Sequence, residues 1–132
     1  MRDIIIEPSK SVNGIPFGAG RDLIRRGFGR AYTEMKKNLF SKNTMDAYEN
    51  FHIYYTEDNK FDAIEIFGSI KVLIGSTVVF PGTVDKIISL LESPERNEES
   101  IISRTMSIGV TVDLDEGNKI AGILFGSEGY FG

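Results

Sequence analysis

The chain has 132 residues, 41% of them hydrophobic and 26% charged, with fifteen basic and nineteen acidic side chains and a net charge of -4. That length fits one domain, residues 1–132, with a core of its own, and the negative balance weighs against nucleic acid, whose phosphates it repels. The lack of cysteine excludes disulfides and thiolate metal sites.

The opening Met1-Arg2-Asp3-Ile4-Ile5-Ile6-Glu7-Pro8 carries an apolar run of only three residues. A signal peptide needs about 7–15 and a membrane helix about 20, so a cytoplasmic protein with no membrane partner is expected. Ile4 to Glu7 reads as a strand stopped by Pro8, Asn13-Gly14 as a turn, and Ile15 to Phe17 as a short extended piece. Arg21 onward reads as a two-turn helix ended by Gly27 or Gly29. Residues 30–50 give no clear period. Tyr32, Met35 and Leu39 sit at helical spacing but Ser41 to Thr44 is loop-like, so a frayed helix or a long loop is expected.

Phe51 to Phe67 is the clearest hairpin, two β-rich runs around Glu57-Asp58-Asn59-Lys60. Apolar groups on both sides of its return strand suggest a central strand covered twice. Ile70 to Ile74 and Thr77 to Phe80 follow as strands around Gly75-Ser76, the first read as an unpaired edge able to pair a partner polypeptide as readily as a second copy of the chain. Val84, Ile87, Ile88 and Leu91 form one helical stripe with Thr83 as N-cap and Pro94 beyond the end. Residues 93–100 read as a polar loop. Met106 to Asp113 and Ile120 to Phe125 form a last hairpin around Asp115-Glu116-Gly117-Asn118, and the tail ends in Tyr130 and Phe131, which suggests docking. A strand and a helix precede both the first and the last hairpin. This order reads either as an internal duplication or, more simply, as helices interrupting a meander. The fold class is α+β: a single domain of mostly antiparallel sheet with two helices.

No constellation for catalysis stands out. The one histidine, His52, lies mid-strand with no nucleophile at motif spacing and reads as structural. The run from Asp113 to Asn118 lacks the distal bidentate glutamate of a calcium loop, since position 123 is Ile, and reads as a turn. Gly18-Ala19-Gly20 lacks the third glycine of a dinucleotide cradle because position 23 is Leu. No catalytic residue, metal or cofactor is therefore assigned. Arg21, Arg25, Arg26 and Arg30, with Lys36, Lys37 and Lys42 beyond, read as a solvated helix face. The other reading is a single-stranded nucleic-acid site helped by Phe28 and Tyr32. The acids Glu57, Asp58, Asp62 and Glu65 beside Tyr54, Tyr55 and Phe61 form the preferred partner-binding set, charge for steering and rings for contact area.

The progression NGIPFGAGRDLIRRGFG, FHIYYTEDNKFDAIEIFG and IKVLIGSTVVFPGTVDKIISLLE, between Asn13 and Glu92, resembles the immunity proteins of contact-dependent growth inhibition systems. Within them it resembles the group whose nuclease toxins are bound by β-augmentation. The resemblance implies a non-enzymatic cytoplasmic protein that binds and neutralises a cognate toxin C-terminal domain. It also implies antiparallel sheets that are Whirly-like in some members. Addition of a toxin hairpin to a sheet would supply backbone hydrogen bonds, with side chains setting specificity. No binding residue carries over from the family to a position here.

Overall fold

Short strands dominate this chain because its apolar residues recur at every second position and its turns carry Asn, Gly, Asp and Ser. The computed structural model describes residues 3–36, 38–40 and 42–132. Met1 and Arg2 of the opening run, Lys37 of the basic stretch and Ser41 of the middle segment lie outside the described residues. In chain order the elements are β1 (Ile4–Glu7), β2 (Ser11–Val12), β3 (Ile15–Pro16), α1 (Arg21–Phe28), β4 (Thr33–Lys36), β5 (Thr44–Ala47), β6 (Phe51–Tyr55) and β7 (Phe61–Ile66). There follow β8 (Val72–Ile74), β9 (Thr77–Phe80), α2 (Val84–Ile88), β10 (Glu95–Arg96), β11 (Ser100–Ser103), β12 (Ile108–Val112) and β13 (Ile120–Gly126).

Five strands form one sheet in the order β3-β2-β1-β8-β9, and eight form the other in the order β10-β11-β12-β13-β7-β6-β5-β4. Only the β1–β8 pair is parallel among the described strands. The protein is thus a single, mostly β domain with two helices. No helix among the described residues is long and apolar enough to cross a membrane. Ile4 and Val72 from the smaller sheet, Phe51 and Ile123 from the larger, and Ile24 and Ile87 from the helices belong to one buried cluster. Fully burying a side chain of this kind contributes about 1.5–3 kcal/mol.

Several expectations need correction. The middle segment is neither helix nor long loop: Thr33–Lys36 pairs antiparallel with Thr44–Ala47. Helical spacing at Tyr32, Met35 and Leu39 misleads because no residue of β4 enters the core. Ile70 to Ile74 is not an edge, since β8 lies between β1 and β9. Residues 93–100 contain β10 and the start of β11, a strand whose Ile101 is fully buried. The last hairpin begins at Ile108, not Met106. α2 closes at Ile88, after which tighter bonds from Leu90 N–H to Ile87 C=O and Leu91 N–H to Ile88 C=O carry the chain on. Thr83 holds the N-cap position but makes no side-chain cap. The tail does dock: Phe131 and Tyr130 lie where a Cβ on Gly109 or Gly126 would stand.

The two halves of the chain repeat one another. In the first hairpin Phe51, His52, Ile53 and Tyr54 face Ile66, Glu65, Ile64 and Ala63, and the register then shifts before Tyr55 meets Phe61. In the second, Ile108, Gly109, Val110 and Thr111 face Phe125, Leu124, Ile123 and Gly122, with the same shift before Val112 meets Ile120. Helix entry repeats too. Gly20 bridges Lys60 and Thr83 bridges Lys119. Arg21 N–H donates to Asn59 C=O as Val84 N–H does to Asn118 C=O. The hairpins join where β7 meets β13, with Ile66 opposite Ile123, Ile64 opposite Phe125, and Glu65 opposite Leu124. Matched residues exchange places across that seam, so a pseudo-two-fold axis passes between Glu65 and Leu124. The duplication, not an interrupted meander, describes the architecture; β1 alone has no counterpart.

Candidate functional site

α1 begins at Gly20, whose extended backbone starts the helix without a side-chain cap. Residues four apart share a helix face, so Arg21 and Arg25 project together while Ile24 between them enters the core. Their stems bury against the sheet, leaving the side chains only 11% and 23% exposed. Both heads then need acceptors, and β4 and β5 supply them. Asp46, fully buried, accepts from Arg25 Nε at 2.9 Å and Nη2 at 2.8 Å, a two-point fork, and from Tyr55 Oη at 2.8 Å. Glu34 Oε1 accepts from Arg21 Nη1 at 2.7 Å and from Arg25 Nη2 at 2.8 Å. Arg21 also donates to Thr44 Oγ1. Its Nε has no hydrogen-bond partner among the described residues. The guanidiniums lie over rings, Arg21 4.0 Å from the Tyr55 centroid and Arg25 4.2 Å from that of Tyr32.

This network shifts its members in the directions its contacts dictate. The Asp46 hydrogen bond holds the Arg25 guanidinium above its usual range. The Arg25 hydrogen bond holds Glu34 below the ordinary glutamate value. Burial, then the bond to Asp46, pushes the Tyr55 phenol up, and burial pushes Tyr48 up to about 12. Two clefts flank the network. One of about 520 Å³ is lined by Gly20, Arg21, Glu34, Thr44, Asp58 and Lys60. Another of about 360 Å³ is lined by Asp22, Arg25, Arg26, Arg30 and Tyr32.

The structure divides the sequence-derived binding set. Tyr55 and Phe61 are core residues, 0% and 1% exposed, and cannot offer contact area to a partner. Tyr55 turns inward by the unbroken alternation of β6. The register shift leaves Asp62 unpaired on β7 and brings Phe61 to the same side, where it stacks on Phe17 at 4.6 Å. Tyr54, Asp62 and Glu65 lie on the outer face of the larger sheet. There Tyr54 Oη donates to Glu65 at 2.7 Å and Asp62 accepts from Ser127 Oγ at 2.8 Å. Only Glu57 and Asp58 stand exposed at the hairpin end, with Thr56 Oγ1–H holding the Asp58 carboxyl below its usual range. The arginine run is no uniformly solvated face either: Arg21 and Arg25 are engaged internally, while Arg26 and Arg30 are exposed. His52 packs edge-on to Phe67 at 4.7 Å, and burial lowers its pKa.

Sequence reasoning missed Glu34, Thr44 and Asp46, and it missed an apolar feature beside them. The β4–β5 hairpin ends in Leu39 and Phe40, 81% and 94% exposed, with Met35 on β4 also exposed. β4 is an outer strand of the larger sheet. Through Thr44 and Asp58, which line the same cleft, this hairpin end adjoins the acidic turn of β6–β7. Strand pairing places Asp46 opposite Ile53 as it places Ile101 opposite Val110, so a charge stands where the second half has an apolar residue. An ungapped superposition of KFDAIEIF on KIAGILFG would set Asp46 against Thr105 and hide it. No protein-family model, curated protein or solved structure matches the chain.

Proposed function

We propose that the protein captures another polypeptide and blocks it without chemistry of its own, as an immunity protein neutralising a cognate toxin domain in the cytosol. The toxin is a nuclease in the group the sequence resembles, and a Whirly-like sheet arrangement belongs to the same proposal. One observation carries the reading: the outer strand β4 runs directly into a tip where Leu39 and Phe40 stand almost fully in solvent. Exposing large apolar groups at a sheet edge is a liability unless a partner covers them. An outer strand offers unpaired backbone N–H and C=O groups to an incoming strand, and neighbouring side chains supply selectivity. Glu57 and Asp58 at the same end would steer a basic partner, in keeping with the net charge of -4.

Co-expression with the product of the adjacent upstream gene tests this. Growth inhibition by that product should be relieved, and the two proteins should co-purify. Both effects should be lost in Leu39→Asp/Phe40→Asp, whose urea midpoint should match the parent because neither side chain is buried. Relief by the variant equal to that by the parent would move the contact elsewhere. Absence of any complex with the parent protein would remove the reading.

A further inference from the structure

β4 is an anomaly. All four of its residues are exposed, so no side chain anchors it in the core, and an edge strand that buries nothing has little beyond backbone pairing to hold it. What it does have is Glu34, reaching across to accept from both Arg21 and Arg25. Asp46 beneath them fixes Arg25 by a two-point hydrogen bond and lies 3.9 Å from Arg21.

The second half shows what this place looks like without charge. By the paired registers and helix entries, Arg21 corresponds to Val84, Arg25 to Ile88, Asp46 to Ile101 and Tyr55 to Val112. Glu34 corresponds to Arg96 on β10, a strand of only two residues. The same backbone plan is therefore built with an apolar filling. Replacing buried ion pairs by apolar residues is often neutral or stabilising, so the fold does not require the polar version. It coincides with the half that carries the longer of the two core-free outer strands.

We propose that Arg21, Arg25 and Asp46 form a clamp that, through Glu34, holds β4 in register as a preformed edge for an extended segment of a partner polypeptide. Asp46 aligns the Arg25 fork, its charge faces Arg21, and Glu34 is the group both arginines grip, so these are positioning residues. A strand ordered in advance lowers the ordering cost at encounter. It keeps the outer backbone groups aligned, with Met35 placed beside Met45 in the adjacent strand. The purpose assigned to the clamp rests on the polypeptide-capture reading; its existence does not.

Amide hydrogen exchange on the intact protein tests the two separately. In Glu34→Gln, and in Arg21→Val/Arg25→Ile/Asp46→Ile/Tyr55→Phe, the amides of residues 33–36 should exchange roughly tenfold faster or more, while those of β6, β7, β12 and β13 keep their protection. A cross-strand disulfide, Met35→Cys/Met45→Cys in the apolar background, should restore slow exchange in β4, which a general loss of stability would not allow. Should the apolar variant fail to fold, Glu34→Gln alone decides. Unchanged β4 exchange in the variants overturns the clamp. If exchange rises but complex formation with the upstream product persists at parental affinity, the docking role falls while polypeptide capture stands. Slowing of β4 exchange with rising protein concentration would make the occupant a second copy of this chain and overturn the assignment to a partner.

Discussion

Asp46 is the residue on which the first half's polar network converges: fully buried, it takes hydrogen bonds from Arg25 and Tyr55 and faces Arg21 at 3.9 Å. Removing one member of a buried pair strands the other's charge, so Asp46→Asn should cost about 3–5 kcal/mol in urea unfolding. The apolar variant with Val, Ile, Ile and Phe should unfold at or above the parent midpoint. Glu34 carries a pH signature. Its carboxyl pKa is depressed, mainly by the Arg25 hydrogen bond, so its contribution is complete above the ordinary glutamate value of about 4.3 and is lost as pH falls through the lower folded value. A carboxyl-carbon NMR titration should find the Glu34 midpoint below that of an unstructured glutamate and return it upward in Arg25→Ile. His52 works in the same sense from a different cause. Burial lowers its pKa, so the unfolded chain binds the proton more readily. Stability associated with neutral His52 is complete above about 6.5 and declines below it. Imidazole shifts titrating at or above 6.5 in the folded protein would contradict this.

Among the elements, the hairpins were legible and the middle segment was not, for one reason. Phe51–Tyr55 and Ile108–Val112 bury every second residue, so their alternation is written in apolar types. β4 buries nothing and β5 buries the adjacent pair Met45 and Asp46, one of them charged, so neither strand shows an alternating apolar trace. The same logic explains the binding set. Alternation showed that Tyr54 and Tyr55 face opposite sides, but which side is core depends on the sheet packed beneath. The docked tail has its own test. A Cβ on Gly126 would stand 2.5 Å from Tyr130 Cγ, too close for the ring root to yield. Gly126→Ala should therefore displace the tail and cost about 1–3 kcal/mol, with residues 129–132 becoming susceptible to carboxypeptidase. Retained resistance to trimming would mean the tail is held by other contacts, the Arg104 bond to Phe131 C=O among them.

At the scale of the whole molecule, the two repeats share one sheet through the β7–β13 seam and one buried cluster. Neither half closes a core alone, so unfolding should be a single transition with coincident tyrosine fluorescence and circular dichroism curves; two separated transitions would show independent halves. The sequence by itself determined that this is one cysteine-free domain of short, mostly antiparallel strands, and where its main hairpins turn. These follow from local alternation and turn chemistry, which act over a few residues. Only the tertiary structure decided that β8 is interior, that Tyr55 and Phe61 are core, that the halves are related by a pseudo-two-fold axis, and that two arginines of the basic run are gripped by acids from β4 and β5. Those outcomes depend on which strands pair across long sequence separations, and pairing is settled by collective burial that no local window of the chain contains.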